Sequence, residues 1–197
     1  MSLPAQAPCR QWRPSLSISS SRCFSSNASR LAANRSNEKS ATDIAELDIL
    51  AGVPIPSTSV DVCMYDGFGL NSGKTITGGD GALLVHGEAF SWRPWVAKGS
   101  MELVNKKGQF EIPAEAFGLM DLLWPRPDLL VLGVGKSIMP LSPKTRQALS
   151  ELGIRVEVLD TRNAAAQFNL LATERGVNDV AAALIPMGWQ EGIGAKA

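Results

Sequence analysis

Apolar and polar positions divide the chain into a β-patterned stretch followed by alternating strands and helices. Across residues 60–92, short apolar runs are separated by glycines at 67, 69, 73, 78, 79 and 81, a pattern that predicts several short strands. Residues 101–112 predict a further hairpin turning at Asn105-Lys-Lys-Gly108. Pro113 suits the first turn of a helix over 114–123, which Pro125 and Pro127 would stop. Residues 129–134 are continuously apolar, as a strand covered on both faces must be. Ser142-Pro143 then reads as an N-cap and first helical residue, and a helix over 144–152 runs to Gly153 as its stop. Residues 154–159 alternate like a half-buried strand. Asp160 or Thr161 caps a second helix over 162–174, closed by Gly176, and residues 180–185 form the next strand. Strand, helix, strand, helix, strand with short connections implies right-handed crossovers. The predicted fold class is α/β, a three-layer domain with a central mixed, largely parallel sheet and an N-terminal β-rich region.

Outside this block the pattern weakens. Residues 25–57 read as a polar linker, with a short helix possible at 43–50 behind Thr42, and the glycine-rich residues 189–197 read as a flexible tail. No acidic residue precedes Glu38, whereas Arg10, Arg13, Arg22, Arg30 and Arg35 lie among many serines. Arginine-rich, serine-rich and acid-poor is the composition of a mitochondrial transit peptide. Arg22-Cys23-Phe24-Ser25 resembles a matrix-processing site, so residues 1–24 are assigned as the transit peptide. A secretory address would need an apolar core that Ser15-Leu-Ser-Ile-Ser19 does not supply, while a serine-rich plastid address stays open.

Over all 197 residues, 19 Lys+Arg balance 19 Asp+Glu, which argues against a nucleic-acid partner. Processing after Phe24 would remove Cys9 and Cys23, leaving Cys63 without a disulfide partner and excluding thiolate zinc sites. His86, the sole histidine, follows an apolar run and reads as a hydrogen-bonded structural residue. Leu132-Gly-Val-Gly-Lys-Ser137 contains Gly-Lys-Ser after a strand, but a phosphate loop needs a glycine where Leu130 stands. No paired carboxylates, metal cluster or nucleophile–base spacing appears, so no enzyme and no cofactor is indicated.

Two sets of residues remain as candidates. Gly133, Gly135, Lys136, Asp160 and Asn163 fall at the carboxyl ends of parallel strands, where open α/β sheets bind ligands. Asn169 shares a helix face with Arg162 and extends that cleft. The competing role for Asp160 is simply to cap the helix. Trp92, Arg93 and Trp95, bracketing Pro94, either seal the rim of the core or form an exposed partner-binding anchor. Trp189, in the glycine-rich tail, reads as a partner contact or a disordered residue.

A series of blocks carries a resemblance. Tyr65-Asp-Gly-Phe-Gly69, Phe90-Ser-Trp92, Leu130-Val-Leu-Gly-Val-Gly135, Leu141-Ser-Pro143, Gly153-Ile-Arg-Val-Glu157, Asp160-Thr161, Asn163-Ala164, Phe168-Asn169, Glu174-Arg-Gly-Val177 and Ala181-Ala-Ala-Leu184 succeed one another in order. Over about residues 58–188 they resemble the small α/β domain family of mitochondrial complex I (NADH:ubiquinone oxidoreductase) assembly factor 3. The stretch around residues 73–87 matches less well. The resemblance implies a non-enzymatic matrix protein, peripherally associated with the inner membrane. Its implied partners are a second complex I assembly factor and early complex I subunits, whose quinone-side and membrane intermediates it would help to join. Relatives often carry cysteine where this chain has Ala164-Ala-Ala166, so a thiol there is not essential to this version.

Overall fold

A computed structural model of the chain describes residues 54–195. The predicted transit peptide and nearly all of the predicted linker, with its short helix, lie outside the described residues.

Three short strands come first, β1 (Val60–Cys63), β2 (Phe68–Leu70) and β3 (Thr75–Ile76), paired antiparallel in a small sheet of their own. The central sheet has five strands in the order β5-β4-β8-β6-β7, with β4 (Gly81–Val85), β5 (Glu88–Trp92), β6 (Leu129–Gly133), β7 (Arg155–Leu159) and β8 (Val180–Leu184). β6 runs parallel to both β7 and β8, as the helical crossovers require, whereas β4 is antiparallel to β5 and to β8. The expected mixed sheet is present, but its parallel part is confined to β7-β6-β8. Two residues, His86 and Gly87, join β4 to β5. Their φ angles of 52° and 72° form a tight turn that only antiparallel strands can use.

Strand alternation sends side chains to two cores. On one face lie Leu83, Val85, Leu130, Leu132, Ala181 and Ala183, and on the other Ala82, Leu84, Val131, Val180, Ala182 and Leu184. The first face is covered by α1 (Pro94–Lys98), a 3-10 turn at Ala114–Phe117 running into α2 (Gly118–Leu122), and α3 (Pro143–Glu151). The second is covered by α4 (Thr161–Arg175) and the small sheet. Alanines on both sides, in β8 and at Ala164, Ala165 and Ala172 of α4, let the helix lie close to the strand.

Helix ends follow their sequence signals. The Ser142 side chain accepts the Thr145 amide ahead of Pro143, Gly153 continues beyond α3 at φ 78°, and Asp160 caps α4 by accepting the Asn163 amide. Three expectations need correction. Residues 101–112 do turn back at Asn105–Gly108, with an antiparallel bridge from Val104 to Phe110 and backbone hydrogen bonds from the Asn105 amide to the Gln109 carbonyl and from the Glu111 amide to the Leu103 carbonyl, but the two arms are not regular strands. Instead of a strand partner, the amides of Leu103 and Val104 donate to the Glu191 carboxylate at 2.5 and 3.2 Å. The supposed flexible tail is a hairpin of β9 (Trp189–Gln190) and β10 (Gly194–Ala195), fastened by Glu191 and by Trp189 stacking on Trp95 with ring centroids 4.4 Å apart. The residues after Trp92, for which no helix is expected, form the short helix α1, with Pro94 in its first turn and Gly99 at φ 71° after it. Among the described residues, no helix is long and apolar enough to cross a membrane.

Candidate functional site

The carboxyl ends of β6, β7 and β8 are tied together by one hydroxyl. Thr161, wholly buried at the start of α4, accepts the Gly135 amide at 2.9 Å and donates to the Ile185 carbonyl at 2.5 Å. Its own amide donates back to the Gly135 carbonyl at 2.9 Å. Gly133 lies just behind, where a Cβ would approach Leu184 Cδ2 to 2.9 Å and the Thr161 Cα to 3.0 Å. Gly133 is therefore a packing residue beneath the site and does not line it.

In front of this knot the surface opens into a cleft of about 270 Å³ lined by Tyr65, Gly135, Lys136, Asp160, Arg162 and Met187. Of the sequence candidates, Gly135, Lys136 and Asp160 are thus brought together. Asn163 does not line the cleft. Its side-chain amide donates to Asp160 Oδ1 at 2.6 Å, completing the cap. Asn169 is a correction: it faces the small sheet and clamps Val60, accepting its amide at 2.8 Å and donating to its carbonyl at 2.9 Å. Two turns along the axis carry Asn169 about 10 Å from the strand ends.

Tyr65, Arg162 and Met187 complete the lining and are not among the candidates drawn from the sequence. Met187 follows Pro186 just after β8, so the strand-end argument applied to a third strand would have reached it. Tyr65 arrives from the β1–β2 loop, held by Gly188, whose amide donates to the Tyr65 carbonyl at 2.8 Å. A Cβ on Gly188 would stand 2.5 Å from that oxygen, so the approach requires glycine. A second cavity of about 240 Å³ shares Tyr65, Lys136 and Met187 with the first and continues along Gly188, Trp189, Gln190, Ile193 and Gly194. The two form one groove.

Arg162 donates to the Met187 sulfur at 3.7 Å. Its positive charge also reaches Cys63, whose thiol is nonetheless pushed above its ordinary pKa by burial. Among the described residues, no three His, Cys, Asp or Glu side chains are grouped to hold a metal. His86 hydrogen-bonds the Pro125 carbonyl through Nε2 at 2.8 Å, remote from the strand ends.

The second candidate set is not an exposed anchor. Trp92 and Trp95 are 5% and 7% exposed and belong to the core. Trp92 donates its indole N–H to the Ala116 carbonyl at 3.0 Å and packs against Phe117. Arg93 does reach the surface, where Nε and Nη2 bind the two Asp80 oxygens at 2.7 Å each. That bidentate contact, with help from Ser91, holds the Asp80 carboxyl below its ordinary pKa.

Helices on both faces of a mixed sheet, with a polar groove at the ends of its parallel strands, define this as a three-layer α/β domain. The family model that matches residues 60–185 is described as a protein of unknown function (DUF498/DUF598), and the chain belongs to that family. Over 76 residues it is 42% identical to the NADH dehydrogenase [ubiquinone] 1 alpha subcomplex assembly factor 3 of Xenopus tropicalis and 43% identical to that of Homo sapiens. Each match covers 39% of this chain and 40% of the relative, so about two fifths of those curated proteins is aligned. In structure, the chain is similar to an outer membrane protein from Bartonella henselae, with a TM-score of 0.51 at 18% identity over 68% of this chain and 98% of that one. That likeness concerns the fold.

Proposed function

We propose that this protein is a non-enzymatic assembly factor for respiratory complex I, acting in mitochondria on the matrix side of the inner membrane. The observation that carries the reading is the 42–43% identity to assembly factor 3 of frog and human over 76 residues. The arginine- and serine-rich, acid-free start of the chain supports a mitochondrial address independently of that match. Its partners in this reading are a second complex I assembly factor and early complex I subunits, with peripheral attachment to the inner membrane. The physical task is to cover subunit faces until their final partners arrive, which for a stable, specific contact means burying about 1,200–2,000 Å². The buried tryptophans are not available for that contact, so it must use other surface.

The test is a native-gel profile of respiratory complexes from cells lacking the protein, followed by re-expression of residues 1–197. The expected result is loss of complex I alone, accumulation of partial quinone-side or membrane intermediates, and recovery on re-expression. An unchanged complex I would refute the reading.

A further inference from the structure

We propose that the groove at the strand ends binds a small amphiphilic anion, a phosphate or carboxylate head with a short apolar body. The adjoining cavities of about 240 and 270 Å³ together fall in the lower half of the range of about 300–1,000 Å³ for small-molecule sites. The head belongs between Lys136 and Arg162. Both line the same cavity of about 270 Å³, and among the described residues neither forms a salt bridge. The one carboxylate there, Asp160, is occupied by the Asn163 side chain at 2.6 Å and the Asn163 amide at 3.3 Å. The remaining charged side chains are donors, the complement of an anion.

The apolar half is equally specific. Tyr65 is 64% exposed and Ile193 53% exposed, and with Met187 and Trp189 they line the adjoining cavity. Two exposed and two half-buried apolar side chains lining one cavity, beside two cations that form no salt bridge among the described residues, differ from the scattered exposed hydrophobics of an ordinary surface. Its frame is preformed: Thr161 pins Gly135, Gly188 is backed against Tyr65, and Glu191 and Trp95 fasten the hairpin that carries Ile193. Little ordering is left for a ligand to impose, which favours binding. This site does not depend on the assembly reading.

Octyl phosphate titrated into the full 197-residue chain, followed by amide chemical shifts, tests the assignment. Saturable shifts are expected at Gly135, Lys136, Arg162, Met187 and Trp189. Inorganic phosphate, which lacks the body, and octanol, which lacks the head, should each bind at least about tenfold more weakly. Octanoate binding alongside octyl phosphate would mark the head as any anion, and octyl phosphate binding alone would narrow it to phosphate. Either result supports the site. Lys136→Ala and Arg162→Ala, both at exposed positions, should each weaken octyl phosphate about tenfold with unchanged melting temperature. Ile193→Ser should bring octyl phosphate towards inorganic phosphate. Shifts centred elsewhere, no saturable binding, equal binding of octanol, equal binding of inorganic phosphate, or undiminished binding by the lysine and arginine variants would each overturn the proposal.

Discussion

Replacing Thr161 by valine should be among the most damaging single changes at the strand ends, although it preserves volume and β-branching. The hydroxyl is the recorded partner of two buried backbone groups, the Gly135 N–H at 2.9 Å and the Ile185 carbonyl at 2.5 Å. Valine can neither accept from the first nor donate to the second. A buried polar group left without a partner costs about 1–3 kcal/mol, so the two together should cost about 2–6 kcal/mol. That is a large part of the 5–15 kcal/mol typical of a domain. Serine keeps the hydroxyl and loses one methyl, worth about 1 kcal/mol. Urea unfolding followed by tryptophan fluorescence would compare the three proteins, with an unchanged slope certifying that stability alone has moved. A valine variant within about 0.5 kcal/mol of wild type, or less harmed than the serine variant, would refute the claim that this hydroxyl holds β6, β8 and α4 together.

Three further outcomes follow from the packing. Trp92→Ala removes a buried ring and its hydrogen bond to Ala116 and should cost about 3–5 kcal/mol in the same unfolding assay; a partner anchor would instead leave stability intact. Asn169→Ala removes both hydrogen bonds to Val60 and should cost about 1–3 kcal/mol, with hydrogen exchange accelerated first at Val60, where β1 rests on α4. Because the folded-state pKa of Asp80 is depressed, its contribution to stability is fully present above its unfolded value near pH 4 and is lost as pH falls through the lower folded value. The stability gap between wild type and Asp80→Ala should therefore be constant near neutrality and close on acidification; a gap that widened in acid would reverse the sign of the argument.

Wherever a signal is local, the fold was legible. Ser142-Pro143, Asp160 ahead of α4, Gly153 after α3 and the unbroken apolar run of β6 each act within one turn or one strand, and each behaves in the structure as its chemistry demands. The misreadings share a different cause. Trp95 and Trp189 bury each other across the length of the α/β block, so neither one's neighbours in sequence could reveal that the glycine-rich end is a docked hairpin. The partner of the Leu103 and Val104 amides is the carboxylate of Glu191, so one arm of a stretch patterned for a hairpin gives two of its donors to a side chain from the far end of the chain. Half of the groove was legible because Gly135, Lys136 and Asp160 follow parallel strands, and topology alone assembles such loops at one edge. The other half depends on Gly188 admitting the Tyr65 loop, a contact between two glycine-containing segments that carry no periodicity. Asn169 shows the limit of helix-face reasoning itself: angle about the axis places a side chain on a face, but only distance along the axis decides which neighbour it meets. Here that neighbour is β1, which makes Asn169 the fastening of the small sheet to α4 and leaves the charged lining of the groove to Lys136, Asp160 and Arg162.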